Sequence, residues 1–318
     1  MRRVLIALVV LIGLTAAAVP TDAQLDMRLP NRDGSVKFAV LGDAGTGDSS
    51  QRAIAQQMAN FHTRYEYSFV IMLGDNLYGT DSPGNFVKKF EQPYMPLLDA
   101  GVKFYAALGN HDDPAAQINY KPFNMNGERY YSFKPSPLAN ARFFALDSNY
   151  MDPRQVQWLE KELAASGSDW KIGFFHHPLY SSGDKHGPSE ILRDQIEPLF
   201  VKNKVNVAFT GHEHFYERVK PQKGVAYFIA GSSAKLRRGD NTSEISDRVY
   251  DDGYTFMLVE IDGDTMYFQT ITEKGLTVDY GTILKGTDDS VVGTTGADAP
   301  GRGAVPGRGR GAAPATGR

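Results

Sequence analysis

The chain of 318 residues contains no cysteine. Disulfide bonds therefore cannot hold the fold together, and no thiolate can act as a nucleophile or bind a metal ion. Any metal site must be built from histidine, carboxylate, amide or phenol groups. Histidine itself is scarce, with seven residues in the whole chain, so the positions of the histidines are informative.

Long hydrophobic runs are missing beyond the N-terminus. The chain begins Met1-Arg2-Arg3, followed by an apolar run from Val4 to Leu14 and then by small residues. Such a pattern is typical of a secretory signal peptide, whereas a membrane span needs about 20 apolar residues. We predict that residues 1–23 are a signal peptide, cleaved after Ala18 or Ala23, and that the mature protein is exported to the periplasm or the extracellular space without stable membrane insertion. An uncleaved membrane anchor is the alternative.

An excess of basic residues is missing as well. Lys and Arg number 34 against 37 Asp and Glu, which gives a formal net charge of −3. Because surfaces that bind nucleic acid are usually basic, we expect no nucleic-acid partner. With 42% hydrophobic and 22% charged residues, the chain has the composition of a soluble globular protein with a sizeable core.

The C-terminal segment lacks the residues from which a core is built. Beyond Gly286 the composition changes to Gly, Ala, Pro, Thr and Arg, as in Pro306-Gly307-Arg308-Gly309. We predict that residues 287–318 are a disordered tail, because this composition buries too little apolar surface to fold. Contact between its arginines and a polyanion of a membrane or cell wall is the alternative to an inert tail. Residues 24–286 then form one folded domain.

Within this domain, strand-like and helix-like segments alternate. Helical spacing of apolar residues predicts helices at 50–65, at 188–203, and from Asp152-Pro153 onward, where a capping residue precedes a proline. The strand candidates, several of them continuously apolar as expected for strands covered on both faces, are Val36–Leu41, Tyr67–Leu73, Val102–Leu108, Arg142–Leu146, Trp170–Phe175, Val205–Thr210 and Val225–Ala230. Three further strands, Tyr254–Ile261, Thr265–Ile271 and Thr277–Leu284, read as an antiparallel meander. The chain is therefore predicted to be one α/β domain with a largely antiparallel end.

Polar residues cluster where five of the predicted strands end. A single Asp or His in such a position is usually a turn residue. Here, however, six of the seven histidines lie at or just after a strand end, and ligands of open α/β sheets bind at the carboxyl ends of strands. The pattern predicts one metal site. The five segments are Gly42-Asp43-Ala44-Gly45, Gly74-Asp75-Asn76-Leu77-Tyr78, Gly109-Asn110-His111-Asp112, His176-His177-Pro178 and Gly211-His212-Glu213-His214.

In this order, the five segments resemble the motifs of the purple acid phosphatases, a family of metallophosphoesterases of the calcineurin-like superfamily. The resemblance extends over residues 36–285 and includes His186-Gly187-Pro188. The chain lacks the additional N-terminal β-domain of the large plant-type enzymes, so it is similar to the small, tartrate-resistant type. The resemblance implies a metallophosphoesterase catalytic domain, a β-sandwich of two mixed sheets flanked by helices in four αββα layers.

Two metal ions are implied by the same resemblance. Asp75 is the ligand shared by both ions, and the donor types suit the ions, since carboxylates and a phenolate suit a hard trivalent ion. The implied ligands of Fe(III) at the first site are Asp43, Asp75, Tyr78 and His214. The implied ligands of a divalent ion, Fe, Zn or Mn, at the second site are Asp75, Asn110, His176 and His212.

Two positions of the motifs require a choice. The family ligand lies two residues before the proline, which favours His176 and leaves His177 with a structural or supporting role, although His177 as the ligand is the alternative. In most metallophosphoesterases the first motif is Asp-x-His, and Gly45 stands here at the histidine position. The loss of that histidine together with the presence of Tyr78 separates purple acid phosphatases from nucleotidases and cyclic-nucleotide phosphodiesterases. Glu213 is expected to point away from the metal ions.

The implied reaction is hydrolysis of phosphomonoesters by an acid phosphatase, with attack of a metal-bound hydroxide on phosphorus. His111 is expected to bind the phosphate and stabilise the transition state, and His186 to act as the general acid. Both act when protonated, which favours a mildly acidic optimum. We expect a monomer whose partners are a phosphomonoester substrate and inorganic phosphate.

Other readings of the site stay open. The first alternative is a two-metal phosphodiesterase or nucleotidase with the same fold, and the second is a protein that binds phosphate or exchanges electrons without hydrolysis. The cationic residues Lys235, Arg237 and Arg238 either attract an anionic substrate or are solvated surface charges.

Overall fold

A computed structural model describes residues 25–239, 241 and 244–286, together with the backbone of 291–294. The predicted signal peptide, residues 1–23, lies outside the described residues. The predicted tail, residues 287–318, also lies outside them except for a short strand at Val291–Thr294.

Fourteen strands are present in the described part of the chain. Four of the predicted strands are confirmed with the same bounds, one of them in the meander, and the other two strands of the meander are confirmed to within one residue at each end. The strands are β1 Val36–Leu41, β2 Phe69–Met72, β3 Lys103–Ala106, β4 Tyr131–Phe133, β5 Ala141–Ala145, β6 Trp170–Phe175, β7 Val207–Thr210, β8 Tyr216–Gln222, β9 Val225–Ala230, β10 Ser246–Tyr250, β11 Thr255–Asp262, β12 Thr265–Thr272, β13 Thr277–Leu284 and β14 Val291–Thr294.

The strands form two mixed sheets of seven strands each. The first sheet has the order β14-β13-β12-β11-β1-β2-β3, and the second has the order β10-β8-β9-β7-β6-β5-β4. In the first sheet β1, β2 and β3 are parallel, while β11 pairs antiparallel with β1. In the second sheet β5, β6, β7 and β9 are parallel. The carboxyl ends of the parallel strands in each sheet therefore share one edge.

Two of the long helices begin directly after an aspartate whose side chain caps the helix. Asp48 accepts hydrogen bonds from the backbone N–H groups of Ser50 and Gln51 at the start of the first helix, and Asp152 accepts one from Gln155 at the predicted start of another. The helices are α1 Ser49–His62, α2 Pro83–Phe86, α3 Gln92–Asp99, α4 Pro114–Gln117, α5 Pro153–Ala165 and α6 Glu190–Lys202, with a π-helical stretch, Val87–Glu91, joining α2 to α3 and a 3₁₀ turn at Lys121–Phe123. Among the described residues, none of these helices is long and apolar enough to span a bilayer.

The two sheets pack face to face through a buried cluster that includes Phe38, Phe143 and Phe209. A second cluster joins the other face of the first sheet to α1 and α3, and a third joins the other face of the second sheet to α5 and α6. Alternate residues of one strand point into different clusters, as the two-residue period of a strand requires. The predicted four-layer αββα architecture is confirmed.

Candidate metal centre

The predicted metal ligands lie at the carboxyl ends of strands from both sheets. Parallel neighbours end at a common edge, and the two sheets bring their edges together at one place. Asp43 follows β1, Asp75 and Tyr78 follow β2, Asn110 and His111 follow β3, His176 follows β6 directly, and His212 and His214 follow β7. The structure thus brings all seven predicted ligands and His111 into one cluster.

Three of these residues have left-handed backbone conformations. The φ angles are 55° at Asp43, 51° at Asp75 and 71° at His212. Asp and His adopt this region more readily than most residues, but it still costs about 1–3 kcal/mol and is concentrated at functional sites. The sharp turns aim the three side chains into the cluster instead of along the strands.

The first half of the cluster surrounds Asp43, whose side chain is fully buried. The Tyr78 hydroxyl donates a hydrogen bond to Asp43 Oδ1 at 3.1 Å, and His214 Nε2 lies 3.5 Å from the same oxygen. The other oxygen, Oδ2, accepts the backbone N–H of His212 at 2.9 Å. The carboxylate, phenol and imidazole predicted to hold Fe(III) are therefore adjacent.

The second half surrounds His176. Its Nδ1 donates a hydrogen bond to the carbonyl oxygen of Leu73 at 2.9 Å, which leaves the lone pair on Nε2. That nitrogen lies 3.0 Å from Asn110 Oδ1, 3.1 Å from His212 Nδ1 and 3.4 Å from Asp75 Oδ1. An imidazole lone pair thus faces an amide oxygen, a second imidazole and a carboxylate. A cation between them fits this set of acceptors, and the geometry supports His176 rather than His177 as the ligand.

The pKa shifts of the cluster also favour binding of a cation. Burial and then the charge of Asp75 raise the pKa of Asp43 well above its usual range. Burial lowers the pKa of His176 well below 6.5, that of His212 to about 2 and that of His214 to about 4. The imidazoles are therefore neutral near pH 7 and keep the lone pairs that a metal ion requires.

The hydroxyl of Tyr78 is protonated in the absence of a cation, and it must lose its proton to act as a metal ligand. Burial, followed by the charges of Asp43 and Asp75, raises the pKa of its hydroxyl. A cation among these groups has the opposite effect, because it favours both carboxylates and the phenolate. The donor set fits a pair of metal ions, in which His176, His212 and Asn110 suit a divalent ion and Asp43 and Tyr78 suit a harder one.

Two glycines allow the motif loops to approach each other. A Cβ atom on Gly45 would lie 2.0 Å from the carbonyl oxygen of Asn76, and one on Gly109 would lie 2.3 Å from Asp75 Oδ1. Both distances are far below a van der Waals contact, so these positions exclude any side chain unless the backbone moves. The position of Gly45 therefore has no space for the histidine of an Asp-x-His motif.

His111 and His186 lie at the exposed rim of the cluster. The His111 backbone N–H donates to Asp75 Oδ1 at 3.0 Å, and the His111 ring centre is 4.9 Å from that of Tyr78. The His186 ring centre is 4.3 Å from that of His212. The two predicted catalytic residues thus flank opposite halves of the cluster on its solvent-exposed side.

Comparison with known families identifies the chain at the level of its family. Residues 36–216, more than half of the sequence, match the model of the calcineurin-like phosphoesterases. The chain belongs to this family. It is a metal-dependent phosphoesterase related to acid phosphatases, and the matched residues include each of the seven predicted ligands.

Curated relatives of this calcineurin-like phosphoesterase include acid phosphatases from a plant and a mammal. Purple acid phosphatase 17 of Arabidopsis thaliana is 28% identical over 262 residues, which cover 71% of this chain and 77% of the relative. Tartrate-resistant acid phosphatase type 5 of Mus musculus is 27% identical over 268 residues, which cover 70% and 79%.

A solved structure confirms the fold. The purple acid phosphatase PPD1 from seeds of yellow lupin, Lupinus luteus, superimposes with a TM-score of 0.66 and 19% sequence identity, covering 82% of this chain and 56% of that one. At this identity the similarity supports the fold alone.

Within the third motif, the phosphoesterase has a buried carboxylate that connects two ligand loops. Asp112 accepts the backbone N–H of Gly109 at 2.7 Å and that of Leu77 at 3.0 Å, as well as the side chain of Gln117 at 2.7 Å. One side chain therefore holds the loop of Asn110 against the loop that carries Asp75 and Tyr78. The sequence placed Asp112 in a motif, but nothing in the sequence showed that it joins two loops.

His177 has a local partner. Its backbone N–H donates to Ser148 Oγ at 3.0 Å, and its Nδ1 lies 2.9 Å from the same oxygen. A ring nitrogen of His177 nevertheless falls within 4.8 Å of ring nitrogens of His176 and His212. The hydrogen bonds to Ser148 agree with the structural or supporting role that the sequence predicted for His177.

The three cationic residues that could either attract an anionic substrate or be surface charges lie in different places in the structure. Lys235 lies over the Tyr78 ring, with its Nζ 4.3 Å from the ring centre. Arg237 Nη2 lies 2.9 Å from His186 Nε2. Arg238 is exposed and contacts Asp252 at the surface. The first two belong to the rim of the cluster, and the third is a surface charge.

Proposed function

We propose that this phosphoesterase is an exported acid phosphatase that hydrolyses phosphomonoesters at a binuclear centre, with Fe(III) at the first site and divalent Fe, Zn or Mn at the second. Relatives named as purple and tartrate-resistant acid phosphatases, similar over about 70% of the chain, support this proposal. The motifs and the cluster of donors support it independently of those names.

One observation carries the proposal. The Tyr78 hydroxyl reaches Asp43 at 3.1 Å, while the position that holds a histidine in Asp-x-His enzymes is a glycine with a backbone oxygen 2.0 Å from any Cβ. Tyr78 therefore takes the place that a histidine has elsewhere in the family. A phenolate is a hard anionic donor, and hard anionic donors favour Fe(III) over a divalent ion.

Different residues of the site have different roles in the proposed reaction. A bound metal pair would supply an activated nucleophile and would neutralise negative charge on the phosphoryl group. His111, at the exposed side of Tyr78, binds a phosphoryl oxygen. His186, above the ring of His212, donates a proton to the oxygen of the leaving group. Protonation of both histidines favours activity at mildly acidic pH.

The test combines metal analysis, a visible spectrum and two substrates. The purified protein is expected to contain iron, to show a visible charge-transfer band, and to hydrolyse an aryl monophosphate faster than a bis-aryl phosphodiester. In the Tyr78→Phe variant the band is expected to disappear while the fold is retained, because only the hydroxyl is removed.

A colourless protein with zinc or manganese at both sites would overturn the Fe(III) assignment. Faster hydrolysis of the diester would favour the phosphodiesterase alternative, and no hydrolysis of any monoester by metal-replete protein would contradict enzymatic function. The role of His186 fails if His186→Ala retains both metals and full turnover of an alkyl phosphate.

Export rests on the N-terminal sequence. The basic start and the apolar run from Val4 to Leu14 support recognition by a secretion pathway. The full chain is expected to appear in the exported fraction of a bacterial host with residues 1–23 or 1–18 removed. A chain that lacks residues 1–23 is expected to stay inside the cell, and N-terminal sequencing reads the cleavage point. Retention of both proteins inside the cell would contradict the proposal.

A further inference from the structure

The segment that follows β9, residues 231–237, brings a lysine to the first half of the metal cluster. Because β9 runs parallel to β7, this segment starts at the same edge of the second sheet as the proposed ligands. The Ser233 backbone N–H donates to the carbonyl oxygen of Gly42 at 3.2 Å, and the Gly42 N–H donates to Ser233 Oγ at 3.2 Å. The segment is therefore bound to the turn that carries Asp43.

The backbone around Lys235 is fixed on both sides. The carbonyl oxygen of Ala234 accepts a hydrogen bond from Ser50 Oγ at 3.2 Å. On the other side, the backbone N–H of Arg237 donates to the carbonyl oxygen of His214 at 2.9 Å. The partly buried side chain of Lys235 therefore starts from a defined place beside the cluster.

Tyr78 is also fixed at several atoms. Its backbone N–H donates to the carbonyl oxygen of Gly45 at 2.9 Å, and its own carbonyl oxygen accepts a hydrogen bond from the ammonium group of Lys89. Its hydroxyl donates to Asp43 Oδ1 at 3.1 Å. The ring is therefore held between the backbone of its motif and the buried carboxylate.

The ammonium group of Lys235 lies over this ring, with Nζ 4.3 Å from the ring centre. A cation within about 6 Å of an aromatic face is attracted by the electron density of the ring. Among the residues that the structure describes, no carboxylate forms an ion pair with Lys235. The ring of Tyr78 is thus the group on which this positive charge acts.

The place of this charge matters when Tyr78 is a metal ligand. A phenolate donates electron density from its oxygen and ring to the bound ion. A positive charge over the ring stabilises that electron density on the phenolate and so weakens the donation. An ion with a weaker donor keeps more of its own positive charge and attracts an anionic phosphoryl group more strongly.

We propose that Lys235 sets the donor strength of Tyr78: its ammonium group, over the phenol ring, holds electron density on the phenolate and so strengthens the ion at the first site as a Lewis acid. The proposal rests on the proposed function, because it assigns a role beside the Fe(III) site of an acid phosphatase. This role differs from attraction of an anionic substrate, for which the ammonium group would contact the phosphoryl group instead of the ring.

The visible charge-transfer band reports the effect. Its energy is the gap between an occupied orbital of the phenolate and an empty orbital of Fe(III). A cation that acts mainly on the ring lowers the phenolate orbital and widens this gap, whereas a cation that acts mainly on the ion narrows it. Removal of the charge of Lys235 is therefore expected to move the band to longer wavelength.

The experiment uses metal-free protein loaded with Fe(III) and Zn(II) in the absence of phosphate. In Lys235→Met, which removes the charge, the band is expected to move by about 10–20 nm to longer wavelength, the size that corresponds to an ordinary cation–π contact. Lys235→Arg keeps a cation that stacks on aromatic rings, so its band should stay close to that of the unaltered protein. Arg238→Met is the matched control with an unchanged spectrum, since Arg238 contacts Asp252 at the surface.

Arg237 provides a second comparison. Its Nη2 is 3.5 Å from His214 Nδ1, so its charge approaches the first site through His214 and not through the Tyr78 ring. Arg237→Met is therefore not expected to move the band to longer wavelength. A shift to longer wavelength in both Lys235→Met and Arg237→Met would show a general effect of charge and would contradict the specific role of Lys235.

The remaining outcomes separate this proposal from the proposed function. An unchanged band in Lys235→Met, a shift to shorter wavelength, or equal shifts in Lys235→Met and Lys235→Arg would overturn the role of Lys235 alone. A raised KM for an aryl phosphate with an unchanged band would assign Lys235 to the substrate. The absence of a band in the unaltered, loaded protein would contradict Tyr78 as a ligand, and with it both proposals. The expected shift in a protein without phosphatase activity would support the role of Lys235 and count against the phosphatase function.

Discussion

At the scale of single residues, Asp112 is the side chain on which the alignment of the two ligand loops depends. It accepts two backbone N–H groups, one from each loop, in a place that is nearly closed to solvent. An asparagine in its place keeps the size but turns one acceptor into a donor, so one backbone N–H faces an NH₂ group. The loops then separate, and Asp75 and Asn110 lose their relative position.

Asp112→Asn is expected to lower the affinity for the second metal ion by about 10- to 100-fold, the usual effect of removing a partner that supports metal ligands. Titration of the metal-free protein against a chromophoric chelator measures this affinity. Asp113→Asn is the control, because Asp113 is exposed and only caps α4, and asparagine caps helices equally well. Equal affinities in Asp112→Asn and the unaltered protein would contradict the role of Asp112.

Single residues also show how far sequence reasoning reaches. The seven predicted ligands lie together because each follows a strand, and strand ends are visible as apolar runs followed by Gly, Asp or His. The contacts of Arg237 with His186 and of Glu213 with Gly187 were not visible in the sequence, since the partners lie 51 and 26 residues apart along the chain. Contacts over such separations depend on how the loops fold over the strand ends, which no local pattern records.

At the scale of elements, β8 was missed in the sequence because two of its charged residues, Glu217 and Arg218, are buried. β8 reads Tyr216-Glu217-Arg218-Val219-Lys220-Pro221-Gln222, with a proline and four charged or amide side chains, yet its first four residues are buried. Arg218 is buried because it donates from Nε to Asp279 Oδ2 at 2.8 Å, and Asp279 lies on β13 of the other sheet. The Tyr216 hydroxyl donates to the same oxygen at 2.8 Å. Such a buried ion pair cannot be recognised from either strand alone, because the partners of Arg218, Asp279 on β13 and Asp247 on β10, lie 61 and 29 residues away along the chain.

The ion pair between β8 and β13 gives a prediction on stability. Asp279→Leu leaves Arg218 buried beside Tyr216 without its main partner, and we expect the free energy of unfolding to fall by about 3–5 kcal/mol. The double variant Arg218→Met and Asp279→Leu replaces both charges by apolar groups and is expected to recover most of this loss. Urea unfolding at a fixed metal concentration measures both values. If the double variant is as unstable as the single one, the pair does not act as a unit.

At the scale of the whole molecule, the proposed metal centre takes its ligands from both sheets. Asp43, Asp75 and Asn110 come from the first sheet, and His176 and His212 come from the second. Metal ions bound between these residues would connect the two halves of the sandwich at one edge. Their binding free energy is added to the stability of the fold, since the unfolded chain does not present the ligands together.

Removal of the metal ions by a chelator is therefore expected to lower the melting temperature. Metal at about 100 times its dissociation constant stabilises the folded state by about 2.7 kcal/mol, which corresponds to about 5–10 °C for a domain of this size. Calorimetry before and after chelation measures the shift. Asp75→Asn weakens both sites at once, and its melting temperature should change little on chelation. A chelator-independent melting temperature in the unaltered protein would contradict a metal centre that joins the sheets.

The pairing of β1 with β11 has a consequence for the order of assembly. Val36 pairs with Ile261, so the strand that leads to Asp43 obtains its second neighbour only after more than 200 residues have left the ribosome. The second sheet, in contrast, is one uninterrupted stretch of chain from β4 to β10. A nascent chain that stops before Thr255 contains every proposed ligand and still leaves β1 as an open edge, ready to pair with another chain. During synthesis, the ribosome therefore releases all the proposed ligands before the sheet that positions Asp43 can be completed.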